Sequence, residues 1–94
     1  MKYVLIAAAV AVGFAFAGQA NAQEALAKSS GCMNCHDIAT KKMGPAFKEV
    51  AAKFKGKADA QATLVAKLEG AKGHPEVKAK GDDLKGIVKW VLAQ

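Results

Sequence analysis

Large apolar side chains are scarce in the part of this chain that must build a core. Residues 23–94 contain 32 apolar residues, and 13 of these are Ala, which buries little surface. A segment of 72 residues with this composition gains too little from hydrophobic burial to be more than marginally stable. We therefore expect one small domain that depends on a metal, a disulfide, a cofactor or a partner. This composition argues against a large enzyme with a deep pocket of its own.

The first 22 residues have the pattern of an export signal. Lys2 gives a basic start, residues 3–18 form an uncharged apolar run, and Ala20 and Ala22 fit the small-residue rule for signal peptidase. The run of 16 residues is shorter than the roughly 20 that an uncleaved membrane anchor needs. We predict a signal peptide over residues 1–22 that is cleaved after Ala22, a domain over residues 23–94 in the periplasm, and no stable membrane anchor after cleavage.

The spacing of apolar residues after position 22 predicts four short helices and no strand. The boundaries indicated by Pro, Gly and Asp signals are Gln23 to about Ser30, Pro45 to Gly56, Asp59 to Gly70, and Asp82 onward. The expected apolar faces are Phe47, Val50, Ala51 and Phe54, then Gln61, Leu64, Val65 and Leu68, then Leu84, Ile87, Val88, Val91 and Leu92. Helices this short do not persist alone in water, so we expect them to close around a bulky apolar group.

Two cysteines and a histidine supply a candidate for that group. The sequence Cys32-Met33-Asn34-Cys35-His36 is the attachment pattern of c-type haem. Two Cys three residues apart on one helical turn reach the two vinyl groups of a porphyrin, and the next residue, His, can ligate the iron. We predict one covalent haem c, attached through Cys32 and Cys35.

Other roles for the same residues fit the sequence less well. A Cys32–Cys35 disulfide or a thioredoxin-like pair is one alternative, but the chain lacks the strand–helix–strand pattern that such a redox pair needs. A zinc site requires a fourth ligand, and only His74 remains.

The chain resembles the small bacterial class I cytochromes c of the c-551/c-552 type over residues Glu24 to Gln94. The resemblance rests on Gly31 to His36, on Met43 to Phe54, and on Lys89-Trp90-Val91-Leu92. It implies an all-α fold of about four short helices around one covalent haem, with the first and last helices crossing. It also implies that His36 is the proximal iron ligand and that a backbone carbonyl of the Pro45 segment accepts a hydrogen bond from His36 Nδ1.

The chain departs from this family at the sixth iron ligand, which is a Met in the family. No Met follows Met43; Met33 lies inside the attachment turn, and Met43 is expected in the core as a gap filler. His74-Pro75 stands near the position of the family's Met-Pro, so we predict His74 as the second axial ligand. An open sixth position, a ligand from a partner, or one of three nearby lysines remain alternatives; these are Lys72, Lys78 and Lys80.

Ligation by two histidines predicts a low-potential, one-electron carrier that is not an enzyme. The alternative is a protein that binds or senses nitric oxide or carbon monoxide at a vacant or displaceable sixth site, as a homo- or heterodimer. A peroxidase is the weakest hypothesis, because Glu69 and Glu76 are expected at the surface rather than beside the iron.

The charge of the chain indicates the class of partner. Thirteen Lys and 8 acidic residues after position 22 give a net charge of +5, which suits acidic redox partner proteins, although scattered Lys also serves solubility. Nucleic-acid binding is not expected, because the chain has no Arg, few aromatic residues and an export signal.

Overall fold

A computed structural model gives the structure of residues 21–94, in which all regular elements are helical. The helices are α1 over residues 21–29, a short 3-10 helix over Cys32–Asn34, α2 over Phe47–Lys53, α3 over Ala60–Glu69 and α4 over Gly81–Leu92. The predicted all-α architecture is confirmed.

The predicted signal peptide, residues 1–22, lies almost wholly outside the described residues. No helix within residues 21–94 is long and apolar enough to cross a membrane.

The last helix, α4, forms the centre of the fold. Helices α2 and α3 both pack against it, and Ala27 of α1 is fully buried in the same core cluster. The face that α4 buries consists of Leu84, Ile87, Val88 and Val91, in agreement with the apolar stripe predicted from the sequence.

Helix α1 meets α4 at Gly86, where a side chain would have little room. The end of the Gln23 side chain lies where a Cβ of residue 86 would stand, with Gln23 Cδ and Nε2 both 2.8 Å from that position. The absence of a side chain at Gly86 therefore lets the first and last helices approach closely. This contact agrees with the pairing of terminal helices that the family resemblance implied.

An aromatic pair joins α2 to α4. The rings of Phe47 and Trp90 meet edge to face, with centroids 5.5 Å apart and planes at 78°. This is a favoured geometry for aromatic side chains, because the positive edge of one ring faces the negative face of the other. Phe47 is 4% exposed, so the pair fixes the start of α2 against the central helix.

The predicted boundaries of α3 agree with the structure, whereas both boundaries of α2 differ, since this helix ends at Lys53 rather than at Gly56. Pro45 precedes α2 rather than lying in its first turn, because Ala46 is the N-cap and has an extended backbone. Asp59 is at the N-cap of α3 but makes no side-chain capping hydrogen bond. Gly70 ends α3 with φ of −87°, and the left-handed residue that reverses the chain is Ala71, with φ of 50°.

Two predictions of burial are wrong. Gln61 is exposed, while Ala60 beside it is buried; Gln61 Nε2 stays at the surface because it donates to the Lys85 carbonyl at 3.0 Å. Met43, predicted in the core, is 88% exposed. It lies on the loop before α2, where its sulfur is 4.0 Å from Cys35 Sγ.

The central position of α4 makes a prediction about stability. Leu84 is 1% exposed, so Leu84→Ala leaves a cavity and should lower the free energy of unfolding by about 2–5 kcal/mol. Lys89→Ala on the exposed side of the same helix is the matched control and should change it by less than about 0.5 kcal/mol. Urea unfolding of the holoprotein measures both. Equal losses for the two variants would contradict the packing described here.

Candidate functional site

The segment that carries the two cysteines is a compact turn between α1 and the following loop. Gly31 begins it with φ of 85°, a left-handed conformation that glycine adopts without strain. The His36 and Cys35 amides both donate to the Cys32 carbonyl, at 3.1 and 3.3 Å. The turn therefore brings Cys32, Cys35 and His36 to the same cavity of the molecule.

The cysteines are not joined to each other. Both are free thiols and half-buried, and burial raises the pKa of the Cys32 thiol, with an opposing backbone hydrogen bond. A disulfide is therefore not what holds this turn together. Within residues 21–94 no group of three or more His, Cys, Asp or Glu side chains is arranged to hold a metal ion by itself.

The loop after His36 is held by backbone hydrogen bonds at both ends. The Gly44 amide donates to the Cys35 carbonyl at 2.7 Å, and the Phe47 amide donates to the Asp37 carbonyl at 2.9 Å. These bonds bring the Pro45 carbonyl to His36, whose Nδ1 donates to it at 2.7 Å. Because Nδ1 carries the proton, Nε2 of neutral His36 has its lone pair available for a metal.

Gly44 allows the His36 ring to lie against the backbone. A Cβ at position 44 would come within 2.7 Å of His36 Nδ1 and 2.8 Å of Nε2, closer than carbon–nitrogen contacts allow. On its other side the His36 ring stacks on Phe47, with centroids 5.0 Å apart and planes at 24°. The ring orientation is thus fixed by a hydrogen bond, a glycine and an aromatic neighbour.

His74 lies on the loop between α3 and α4. The base of this loop is closed by the Gly81 amide, which donates to Glu69 Oε1 at 3.1 Å. Ala71 and Gly73, with φ of 50° and 69°, turn the chain just before His74. His74 Nδ1 donates to the Pro75 carbonyl at 2.7 Å, so its Nε2 is also the nitrogen available for a metal.

Helices α2, α3 and α4, the cysteine turn and both loops surround one cavity of about 740 Å³. Its wall is mainly apolar, and it also contains Cys32, Cys35, His36 and His74. The apolar residues of the wall include Phe47, Val50, Phe54, Leu64, Leu68, Val77, Ala79, Leu84, Ile87, Val88 and Val91. The charged residues at its rim are mixed in sign, with Glu49, Lys53, Lys67 and Glu76. A cavity of this size and lining fits a large, flat, apolar cofactor with a metal at its centre.

The two imidazole rings are spaced as two ligands of one ion would be. The centroids of His36 and His74 are 6.0 Å apart and their planes differ by 5°. Two imidazoles bound on opposite sides of one ion, with metal–nitrogen bonds of about 2.0–2.1 Å and ring nitrogens about 1.1 Å from the ring centres, would have their centres about 6.2–6.4 Å apart, slightly more than the distance found here. The residues present therefore fit a haem group that would be attached at the cysteine turn, in a cavity whose wall also contains His36 and His74.

The other candidate ligands do not face this cavity. Neither Met33 nor Met43 contributes to its wall; Met33 packs against the core cluster instead. The three lysines of the 70–80 loop, Lys72, Lys78 and Lys80, also lie outside the wall. Glu69, considered as a peroxidase acid, is engaged by the Gly81 amide.

Sequence reasoning did not identify Gly44 and Phe47 as partners of His36. The apolar spacing predicts only that Phe47 lies on the buried face of α2, and Gly44 enters only as a member of the Met43 to Phe54 motif. The available signal was the position of Gly44 directly before Pro45, since a glycine beside a functional loop often marks a close approach of the backbone to another group. Nothing in the sequence pattern indicated that the contact would be with His36.

The comparisons with known proteins point to one family. The chain is 42% identical to cytochrome c-551 of Pseudomonas aeruginosa over 78 residues, which cover 76% of this chain and 75% of the relative. It is 34% identical to cytochrome c-552 of Hydrogenobacter thermophilus, over 98% of this chain and 96% of the relative. No family model matches the chain.

Solved structures of the same kind share the fold. Cytochrome c552 of Nitrosomonas europaea superposes with a TM-score of 0.67 at 36% identity, covering 73% of this chain and 95% of the other. The class 1 cytochrome MtoD of Sideroxydans lithotrophicus gives 0.64 at 30% identity, covering 78% and 92%.

The relatives are electron carriers rather than enzymes and carry one covalent haem c, for which this chain has the cysteine pair, the histidine and the cavity. The chain belongs to the small class I cytochromes c of the c-551/c-552 type.

Proposed function

We propose that this cytochrome is a periplasmic one-electron carrier whose iron is bound by His36 and His74. The observation that carries this proposal is the pair of parallel imidazole rings, 6.0 Å apart in a single apolar cavity. Cys32 and Cys35 hold the haem covalently, and the Pro45 carbonyl orients His36 through Nδ1. The remaining polypeptide excludes water from the ring and presents an edge to redox partner proteins.

The haem supplies reversible one-electron chemistry at iron when it is bound. The residues of this chain control the redox potential of the haem and the access of other molecules to it. The hydrogen bond from His36 Nδ1 to Pro45 makes the imidazole a stronger electron donor at Nε2. A second imidazole in place of a thioether favours the ferric state, because Met as an axial ligand raises the potential of a haem. The proposed carrier therefore works at a lower potential than relatives with a Met ligand.

A second candidate function is binding of nitric oxide or carbon monoxide at the sixth position. The observation that favours it is the local anchoring of His74. Its side chain donates a hydrogen bond to the adjacent Pro75 carbonyl, and two left-handed residues, Ala71 and Gly73, precede it. A ligand held by its own loop can be displaced more readily than His36, which is fixed from three sides. Pairing with a second chain stays a prediction of this candidate.

Replacement of His74 tests the proposed ligation. His74→Ala should leave the haem attached but convert the ferric iron from low spin to high spin, and carbon monoxide should then bind the ferrous form rapidly. EPR and optical spectra of both oxidation states measure the change. His74→Met should remain low spin and have a higher midpoint potential.

Matched controls cover the lysines of the same loop. Lys72→Ala, Lys78→Ala and Lys80→Ala should each leave the spin state unchanged. A low-spin spectrum that persists in His74→Ala would remove His74 from the coordination sphere. Rapid binding of carbon monoxide by the unaltered protein would instead favour the gas-binding function.

The close approach at Gly44 generates a prediction about His36. Gly44→Ala should push the imidazole away from the Pro45 carbonyl, weaken the Nδ1 hydrogen bond, and shift both the ferric EPR signal and the midpoint potential. Gly70→Ala is the control, because its φ is −87° and its Cβ would come no closer than 3.3 Å to another atom. Identical EPR signals in the two variants would show that Gly44 does not position His36.

Export is tested by the mass of the purified protein. Expression of the full chain in a bacterium with haem-attachment machinery should give a periplasmic product that begins at Gln23 and carries one haem. Osmotic-shock fractionation and intact mass spectrometry measure this. A cytoplasmic product that retains residues 1–22 would contradict the proposed location.

A further inference from the structure

Gln23 is the residue that export would place at the start of the mature chain. The signal sequence predicts cleavage after Ala22, which would give Gln23 a free α-amino group in the first turn of α1. Glutamine at this position has a reaction that an internal glutamine lacks, because its own amine can attack its side-chain amide and close a lactam ring. The surroundings of Gln23 determine whether the open side chain or the ring suits the fold better.

The open side chain lies in the crossing of α1 and α4, where its carbonyl has no donor. The amide covers Gly86, with Gln23 Cδ and Nε2 each 2.8 Å from the point where a Cβ of residue 86 would stand. Gln23 Oε1 is buried and has no hydrogen-bond partner within residues 21–94. A carbonyl that loses water without gaining a donor destabilises the conformation that buries it. The contact with α4 therefore does not hold the amide in the open form.

A free amine is also unfavourable where α1 begins. The N-terminal end of a helix carries a partial positive charge from its unpaired amide groups, so an ammonium there is repelled. The neighbouring carboxylate, that of Glu24, is directed along the helix, with Oε1 3.8 Å from Lys28 Nζ. A lactam has no positive charge, because its nitrogen is an amide that keeps one N–H donor. Ring closure therefore removes the repelled charge from the start of the helix.

We propose that residue 23 of the mature protein is pyroglutamate, formed from Gln23 after export. The unprotonated α-amine attacks Cδ, the Cδ–Nε2 bond breaks, and Nε2 leaves as ammonia with a proton from the amine. The new bond from the backbone nitrogen to Cδ shortens the reach of the side chain, so Oε1 withdraws from Gly86 to a position beside its own backbone. This proposal rests on cleavage after Ala22, which belongs to the proposed function, and it does not depend on the ligands of the iron.

The modification protects a part of the core that lies close to the chain end. Ala27, in the first turns of α1, is fully buried and belongs to the same core cluster as Leu84 and Val88 of α4. An aminopeptidase that trimmed the chain through residue 27 would remove this contact, and such enzymes require a free α-amine. A blocked terminus therefore preserves the packing of α1 on α4.

The experiment is mass spectrometry of the periplasmic holoprotein after incubation at neutral pH, on the intact chain and on its N-terminal peptide. We expect the mass of residues 23–94 with one haem, less one ammonia, and a first residue that an amine-labelling reagent does not modify. A free amine and an intact amide at residue 23 would overturn the proposal and leave the predicted cleavage in place. A chain that starts at any other residue would overturn the cleavage site and the modification together.

Two variants at position 23 separate ring closure from other losses of ammonia. Gln23→Asn keeps an amide but is one methylene too short to close an unstrained ring, so it should retain its ammonia and its free amine. Gln23→Glu presents a carboxylate, which is a much poorer target for the amine, and should stay open over the same incubation. Loss of ammonia from Gln23→Asn to the same extent as from the unaltered protein would overturn the proposal, because it would place the reaction at another residue.

The protective role has a measurement of its own. In the presence of a broad-specificity aminopeptidase the unaltered protein should keep its N-terminus, whereas Gln23→Asn should lose residues from α1. Pyroglutamyl aminopeptidase, which removes the lactam residue, should make the unaltered protein as sensitive as the variant. Equal trimming or equal resistance of the two proteins would overturn the protective role. Their ferric EPR spectra should be the same, because Gln23 does not line the haem cavity.

Discussion

The hydrogen bond from His36 Nδ1 to the Pro45 carbonyl is the interaction on which the arrangement of the site depends. It joins the cysteine turn to the loop that leads into α2, and it fixes the tautomer that leaves Nε2 available. Gly44 gives the ring room, and Phe47 covers one face of it while contacting Trp90 of the central helix. The orientation of one imidazole is thereby linked to the packing of α2 on α4.

On the opposite side of the cavity, His74 is held less firmly than His36. The loop between α3 and α4 is closed at its base by Glu69 and the Gly81 amide, but the His74 ring donates its hydrogen bond to its own neighbour, the Pro75 carbonyl. In the proposed ligation, His74 is therefore the easier of the two histidines to displace from the iron.

Much of the fold followed from the sequence because its signals are local. The α4 stripe from Leu84 to Val91 has a clear helical period, and the cysteine motif combines chemistry with fixed spacing. The errors arose where tertiary contacts decide the outcome. Met43 was expected in the core because Met is apolar, yet its loop runs over the surface. Gln61 fell on a predicted face but bonds to the Lys85 carbonyl. The spacing of His36 and His74 joins residues far apart in sequence, and no periodicity reports it.

Pulsed EPR of the ferric holoprotein with ¹⁵N-labelled histidine tests the central claim most directly, because it counts the imidazole nitrogens bound to iron. The account predicts couplings from two directly bound histidine nitrogens, one from His36 and one from His74, with nearly parallel ring planes. A coupling from a single histidine nitrogen would contradict it, whatever group completed the coordination.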